Sequence, residues 1–251
     1  MDESHIANAQ LTHAVYTATT QRNFGGSMIL AIGNIKGGVG KSTLAANVAV
    51  ALAQSGADVL LIDGDEQASA ATFAAIRAEL EVGAKFTTVQ LQGAAIRQQV
   101  RQLSGKYSEI VIDVGGRDTG SLRAALTVAN ALLIPFQPRS VDLWAAHQIA
   151  ALVHEAREVN ETLKAYSLLN IADAQGRDND DAATALAAVD GVELLPWVVG
   201  RRKAFPNAFS AGLSVLEQSP RDYKACSELT CVVDALYTHR RDNGYQHAQA
   251  V

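Results

Sequence analysis

The stretch from Asn34 to Thr43 reads NIKGGVGKST and holds the residue types that bind a chain of phosphate groups. Its glycines allow backbone geometries that point successive N–H groups at phosphate oxygens. Lys41 would neutralise the β- and γ-phosphates of a nucleotide, and the Ser42 hydroxyl would ligate Mg²⁺. We therefore predict that a nucleoside triphosphate binds this loop through Gly37, Gly38, Val39, Gly40, Lys41, Ser42 and Thr43.

A second lysine distinguishes this loop from the standard phosphate loop, G-x-x-x-x-G-K-[ST]. Ile35 stands where that pattern has its first glycine, and Lys36 follows it at the mouth of the loop. Lys36 is either a further phosphate contact or a lysine that points into solvent, as most surface lysines do.

Carboxylates follow two other apolar runs. VLLIDGDEQASA places Asp63 and Asp65 at the end of one run, and EIVIDVGGRD places Asp113 at the end of the other. An aspartate closing a buried strand is typical of a Walker B site, where it holds Mg²⁺ through water. The following Gly115-Gly116 would move with the γ-phosphate. The pair at 63 and 65 is either part of that site or a turn and helix cap.

These segments need a sheet that carries them to one edge. From Met28 onward, short apolar runs alternate with longer amphipathic ones, and helices are predicted over 42–55 and 142–160. The alternation predicts an α/β fold, a doubly wound, mostly parallel sheet with helices on both faces and ligands at the carboxyl ends of its strands. The predicted strands are 28–33, 58–63, 87–91, 109–113, 131–135, 165–170 and 192–196.

Composition indicates one large globular domain. The chain has 251 residues, of which 48% are apolar and 19% charged, and its formal net charge is −5. We predict a flexible tail over 1–26, a domain over 27–240 and a polar tail over 241–251. The N-terminus lacks a signal-peptide pattern and no apolar run is long enough to span a bilayer, so a cytoplasmic location is expected. The negative charge still allows a local basic patch.

The motifs resemble those of the ParA/MinD family of deviant Walker A ATPases, which are P-loop NTPases. The resemblance rests on K-G-G-x-G-K-[ST] at 36–42, D-x-D-x-Q at 63–67 and the strand closed by Asp113, and it runs from about residue 28 to about residue 236. It is strongest to the small plasmid-type ParA proteins that lack an N-terminal helix-turn-helix domain.

The resemblance implies roles for the phosphate site. ATP and Mg²⁺ would be the cofactors, with Ser42, Asp65 and Asp113 around the metal. Lys36 would reach across an ATP-bound homodimer to the phosphates of the other subunit, where a second lysine neutralises charge that remains on the Mg²⁺-bound triphosphate. The implied catalytic residues are Lys36, Lys41, Asp65 and Asp113.

The resemblance also extends to the last third of the chain. It implies that Asn170 contacts the adenine, although an asparagine after a strand is also an ordinary turn residue. The run VVGRRKAF leads into GLSVLE at 212–217, and in the family basic residues of this region bind DNA without regard to sequence. The DNA-binding residues would be Arg201, Arg202 and Lys203, or these would be a charged surface turn.

The expected function is that of an ATP-dependent DNA partition ATPase. It would dimerise on ATP, bind nucleoid DNA, and be released when a ParB-type or ribbon-helix-helix partner stimulates hydrolysis. The alternatives are a related ATPase that positions a protein cargo, such as a chemoreceptor array or a microcompartment, and an ATP-gated regulator without significant turnover.

Two other classes fit the sequence poorly. A membrane-binding relative would end in a basic amphipathic helix, whereas the last dozen residues have no large apolar side chain except Val251. We therefore expect no membrane partner. An iron–sulfur electron carrier needs cysteines after the central strands, but Cys226 and Cys231 lie near the C-terminus. We expect these cysteines to be packing residues.

Overall fold

A computed structural model describes residues 27–80, 83–116, 119–141 and 143–248 of the chain. The predicted N-terminal tail, 1–26, lies outside these ranges. So do residues 249–251 of the predicted C-terminal tail.

In the described ranges, seven strands form one sheet, and each of the seven predicted strands is confirmed with ends that differ by a few residues. Several of the strands are rich in Val, Ile and Leu because they are covered on both faces. The strands are β1 (Met28–Gly33), β2 (Val59–Asp63), β3 (Thr87–Gln90), β4 (Glu109–Val114), β5 (Ala131–Phe136), β6 (Lys164–Ala172) and β7 (Glu193–Gly200).

The strand order is β3-β2-β4-β1-β5-β6-β7, and every neighbouring pair is parallel. β1, β2, β4 and β5 are buried along their whole lengths. Because all strands run in one direction, the loops that follow β1, β2, β4 and β6 come together at a single edge. The predicted doubly wound fold is confirmed.

Helices cover both faces of the sheet. One apolar core joins the sheet to α3, α4, α5 and α6, and a second joins it to α1, α2, α7 and α8. Two of the helices, α1 and α5, are those predicted from the sequence. The helices are α1 (Lys41–Gln54), α2 (Ser69–Glu79), α3 (Ala94–Leu103), α4 (Thr119–Leu126), α5 (Leu143–Arg157), α6 (Asp178–Ala187), α7 (Ala204–Ser210) and α8 (Tyr223–Ala248).

The last helix, α8, continues past residue 240, where the sequence analysis placed the start of a polar tail. The division of the chain at that point stays a prediction. Cys226 and Cys231 lie on α8 as partly buried free thiols, and burial raises the pKa of both. Cys226 Sγ donates to the Val215 carbonyl at 3.2 Å, which suits a packing residue. Within the described ranges, no helix has both the length and the apolar character needed to cross a bilayer.

Candidate nucleotide-binding site

The phosphate loop joins the end of β1 to the start of α1. Gly38 and Gly40 have φ angles of 75° and 87°, which residues with a Cβ atom rarely adopt. Gly40 is the N-cap of α1, and no side chain caps the helix there. The N–H groups of the first turn are therefore available to an anion, and the first turn contains no acidic residue that would repel one.

Lys41 is buried at the base of this loop, with 7% of its surface exposed. Its Nζ donates to the carbonyl oxygen of Lys36 at 3.1 Å. Burial lowers the pKa of Lys41, while the negative charges of Asp113 and Asp65 act in the opposite direction. A partly desolvated ammonium group at a helix N-terminus gains a great deal from a phosphate ligand.

Lys36 is half-buried at the mouth of the loop. Its backbone N–H donates to Asn34 Oδ1 at 2.9 Å, and Asn34 Nδ2 donates to the Pro135 carbonyl at 2.8 Å. The fully buried Asn34 side chain thus ties the start of the loop to the end of β5. Asn34 was not predicted from the sequence, although a polar residue directly after a buried strand was a signal for it.

Asp63 and Asp65 have different surroundings. Asp63 is buried and its two oxygens accept hydrogen bonds from the backbone of Asp65, at 3.1 Å, and of Ala71, at 2.7 Å. Burial raises the pKa of Asp63, and these hydrogen bonds oppose the rise. Asp63 therefore holds the turn and the first residues of α2. Asp65 is half-buried and lies against Gly115, where an added Cβ would stand 2.6 Å from the Asp65 Cγ.

Asp113 is the most deeply buried carboxylate of the site. It is 0% exposed, and among the described residues neither of its oxygens has a hydrogen-bond partner. Burial raises its pKa to about 7; the nearby Ser42 hydroxyl opposes the rise without making a hydrogen bond of ordinary geometry. A buried carboxylate with unused lone pairs beside a hydroxyl fits Mg²⁺ or a water bound to it.

Among the described residues, no three His, Cys, Asp or Glu side chains converge on a point that could hold a metal ion.

Gly116, in the segment that follows β4, touches the phosphate loop directly. A Cβ at this position would lie 2.6 Å from the Ile35 carbonyl oxygen and 2.9 Å from that of Asn34. Any larger residue would push the two segments apart. The segment after Asp113 and the phosphate loop are therefore packed directly against each other.

Asn170, at the end of β6, lies beneath the same loop and is 4% exposed. Its Nδ2 donates to the Val39 carbonyl at 2.7 Å. The adenine contact that the sequence analysis assigned to Asn170 stays a prediction.

The basic cluster after β7 is partly neutralised within the chain. Arg202 forms a two-point ion pair with Glu228, with distances of 2.9 and 2.6 Å, and the hydrogen bond to Glu228 raises the Arg202 pKa. Arg201 Nε lies 3.0 Å from Asp173 Oδ1. Lys203 is exposed and has no ion pair with the residues that the structure describes. The DNA contact stays a prediction. Of the three basic residues, Lys203 is the one without an ion pair among the described residues.

Residues 212–217 dock onto the helix that starts at the phosphate loop. Asn47 on α1 is fully buried, and its Oδ1 accepts from Ser214 Oγ at 2.8 Å and from the Val215 N–H at 3.0 Å. Its Nδ2 donates to the Thr43 carbonyl at 2.7 Å. The sequence resemblance drew attention to GLSVLE but gave no sign of which residues it contacts.

The same segment is joined to α2 by a buried ion pair. Both terminal nitrogens of Arg77 lie 2.7 Å from the oxygens of Glu217, and the two side chains are only 7% and 10% exposed. Burial alone would raise the Glu217 pKa, but the hydrogen bonds, with Arg77 first, lower it. Arg77 also donates to the Gly212 and Ala84 carbonyls.

Comparison with known proteins agrees with this geometry. Residues 30–215 match the family described as the CobQ/CobB/MinD/ParA nucleotide binding domain. The "Maintenance of carboxysome distribution protein A" of Halothiobacillus neapolitanus is 27% identical over 213 residues, which are 82% of this chain and 95% of the relative. The "Chromosome-partitioning ATPase Soj" of Thermus thermophilus is 28% identical over 224 residues, 76% of this chain and 88% of Soj.

A solved structure supports the fold. The ATP complex of a Cyanothece McdA variant superposes with a TM-score of 0.69 at 18% identity, over 83% of this chain and 95% of that one. The family match covers most of the sheet and all of the predicted site residues, from Lys36 to Lys203. This chain belongs to the CobQ/CobB/MinD/ParA family of nucleotide-binding domains.

Proposed function

We propose that this chain is a ParA-type ATPase that positions a large protein cargo by cycling on and off nucleoid DNA. The observation that carries the cargo assignment is the similarity to a carboxysome distribution protein over nearly the whole length of that relative. The plasmid-type partition role expected from the motifs is the second candidate, and the similarity to Soj supports it.

The residues of the site have distinct tasks in hydrolysis. The N–H groups of the loop and the buried Lys41 bind the β- and γ-phosphates and stabilise the charge that grows on them. Ser42 and Asp113 would hold Mg²⁺, which would neutralise charge on the phosphate oxygens. Asp65 orients the water that attacks the γ-phosphate, while Asp63 fixes the turn on which Asp65 lies.

Lys36 makes ATP the link between two subunits. Its backbone is fixed by Asn34 and by Lys41, so the side chain starts from a defined point at the mouth of the loop. A second copy of the chain that faces this edge would place its own Lys36 near the first copy's phosphates. The closed dimer then depends on the γ-phosphate and opens after hydrolysis.

DNA binding follows from dimerisation. Two copies double the number of cations that bind phosphate, and nonspecific affinity rises steeply with the number of phosphates neutralised. Lys203 contributes most directly, and Arg201 and Arg202 contribute if DNA phosphates compete with Asp173 and Glu228. A cargo-bound partner of the ParB or ribbon-helix-helix type would stimulate hydrolysis and release the dimer.

The cargo is tested in the native host. In cells from which the gene has been deleted, imaging should show a protein compartment or array clustered at a few sites, while resident plasmids are inherited normally. Restoring wild type, but not Lys41→Gln, should restore even spacing. Plasmid loss with normally spaced protein assemblies would favour the partition role instead. Purified protein should hydrolyse ATP slowly, and a complete lack of turnover with any cargo partner would favour the ATP-gated regulator.

A further inference from the structure

The side chain of Asn170 is placed to set the shape of the phosphate loop. Its Nδ2 donates to the Val39 carbonyl at 2.7 Å, one residue before the N-cap of α1. A Cβ on Gly40 would stand 2.4 Å from the same nitrogen. The amide therefore fills the space directly behind the two residues that turn the loop into the helix.

The backbone next to Asn170 is in an unusual conformation. Ile171 has a φ of 57°, a region that a β-branched residue rarely enters because of steric repulsion. The register between β6 and β7 shifts at this point, between Asn170 and Ala172. Such strain persists only where the surroundings enforce it, and it concentrates at functional sites. Ile171 directly follows Asn170, whose side chain bonds to the phosphate loop.

We propose that Asn170 is a positioning residue for the phosphate loop, and that the strain at Ile171 maintains its hydrogen bond to Val39. Asn170 acts on the phosphates through the loop, and it therefore acts in the same way whichever base the nucleotide carries. This deepens the proposed function, on which it rests, and differs from the adenine contact that the family resemblance implies. An adenine contact gives selectivity among bases, whereas a loop support gives affinity for any triphosphate.

The experiment compares Asn170→Ala with a matched control. Asn160→Ala removes a similar amide, whose Nδ2 donates to the Leu126 and Ala129 carbonyls at 2.8 Å, at the other end of the sheet. Full-length wild type and both variants are titrated with ATP, GTP and inorganic tripolyphosphate in Mg²⁺, by displacement of a fluorescent ATP analogue. Thermal unfolding without nucleotide is recorded for all three.

Asn170→Ala should weaken the binding of ATP and of tripolyphosphate by about fivefold to tenfold each, the effect expected of one buried hydrogen bond. The ratio of ATP affinity to GTP affinity should be unchanged. Asn160→Ala should keep wild-type affinities even where it unfolds at a similarly lowered temperature. Loss confined to ATP, or full ATP affinity in Asn170→Ala, would overturn the proposal. Wild type that binds no ATP would instead overturn the proposed function.

Ile171→Gly supplies a second test, since glycine adopts this φ without strain. The variant also loses the half-buried Ile171 side chain, whose Cδ1 lies beside Gly40, so its thermal unfolding is recorded together with the titrations. It should bind tripolyphosphate more weakly than wild type, because Asn170 is no longer held in place. Undiminished triphosphate affinity in Ile171→Gly would show that the strain has no part in binding.

Discussion

At the level of single residues, the site contains two ionisable groups whose charged forms are destabilised by burial. Burial lowers the pKa of Lys41 and raises that of Asp113, so each loses some preference for its charged form. Neither has a direct ion pair among the described residues. The phosphates and Mg²⁺ of a nucleotide would compensate both charges at once, which links stability to nucleotide binding.

The pH dependence of stability tests the state of Asp113. Its folded pKa, about 7, lies above its ordinary value of 3.8. The protonated form therefore stabilises the native state, and this contribution is lost as pH rises from the ordinary value through the folded pKa. We expect Asp113→Asn, without nucleotide, to lose less stability than wild type between about pH 5 and about pH 8, measured by urea unfolding. Parallel curves for the two proteins would contradict the raised pKa.

The two lysines of the loop should separate binding from dimerisation. Lys41→Gln removes the buried cation at the phosphates and should weaken ATP binding at least about tenfold. Lys36→Ala should bind ATP nearly as wild type does but fail to form the ATP-dependent dimer. Calorimetry measures the first property and light scattering with ATP the second. A Lys36→Ala protein that dimerises normally would exclude the contact across the interface.

At the level of elements, residues 212–217 connect the helices at the nucleotide site to the region of the proposed DNA contact. Ser214 and Val215 are bonded to α1, which begins at the phosphate loop, and Glu217 is paired with Arg77 on α2. Phe73 of α2 also stacks on Phe209 of α7, with ring centroids 5.1 Å apart. The segment therefore holds the nucleotide helices and the region near the basic cluster in one packed unit.

Removing one partner of the buried ion pair should destabilise the protein more than removing both. Arg77→Leu leaves the Glu217 carboxylate buried without its partner and should cost about 3 to 5 kcal/mol of unfolding free energy. The double variant Arg77→Leu/Glu217→Leu should cost less than Arg77→Leu alone, since no uncompensated charge remains. Urea unfolding measures both. A double variant less stable than the single one would show that Arg77 stabilises chiefly through its other hydrogen bonds.

The elements were predicted from sequence more completely than the site. Four strands, β1, β2, β4 and β5, are nearly continuous apolar runs that the structure buries throughout, so their positions follow from hydrophobicity. The loop glycines and Lys41 were found because spacing along the chain decides their geometry. The partners of Asn47, Arg202 and Asn170 could not be found in this way, because they join residues that are far apart in sequence. Ile171 gave no sequence signal, since its φ is imposed by tertiary packing.

At the level of the whole molecule, the proposed DNA binding has to overcome an overall negative charge of −5. Internal ion pairs already engage Arg201 and Arg202. A small number of exposed cations on each copy must then bind the DNA phosphates, and doubling them by dimerisation matters more than in a basic protein. The proposed cycle depends on this feature.

Charge reversal at Lys203 tests the location of the DNA surface. Lys203→Glu should leave ATP affinity unchanged, weaken DNA binding several-fold, and lower the salt dependence by about one unit for each DNA phosphate that is no longer neutralised. Lys164→Glu makes the same charge change at the start of β6, at the opposite edge of the sheet, and serves as the control. Filter binding at several salt concentrations measures both. Equal effects of the two variants would indicate a loss of net charge without a defined site.

An ATP-gated cycle on DNA is tested by the binding of the wild-type protein to duplex DNA of arbitrary sequence, measured across a salt series with ATP, with ADP and without nucleotide. We expect binding with ATP alone, falling steeply as salt increases, because only the closed dimer presents enough cations. Binding that is absent in all three states, or equal in all three, would contradict an ATP-gated cycle on DNA.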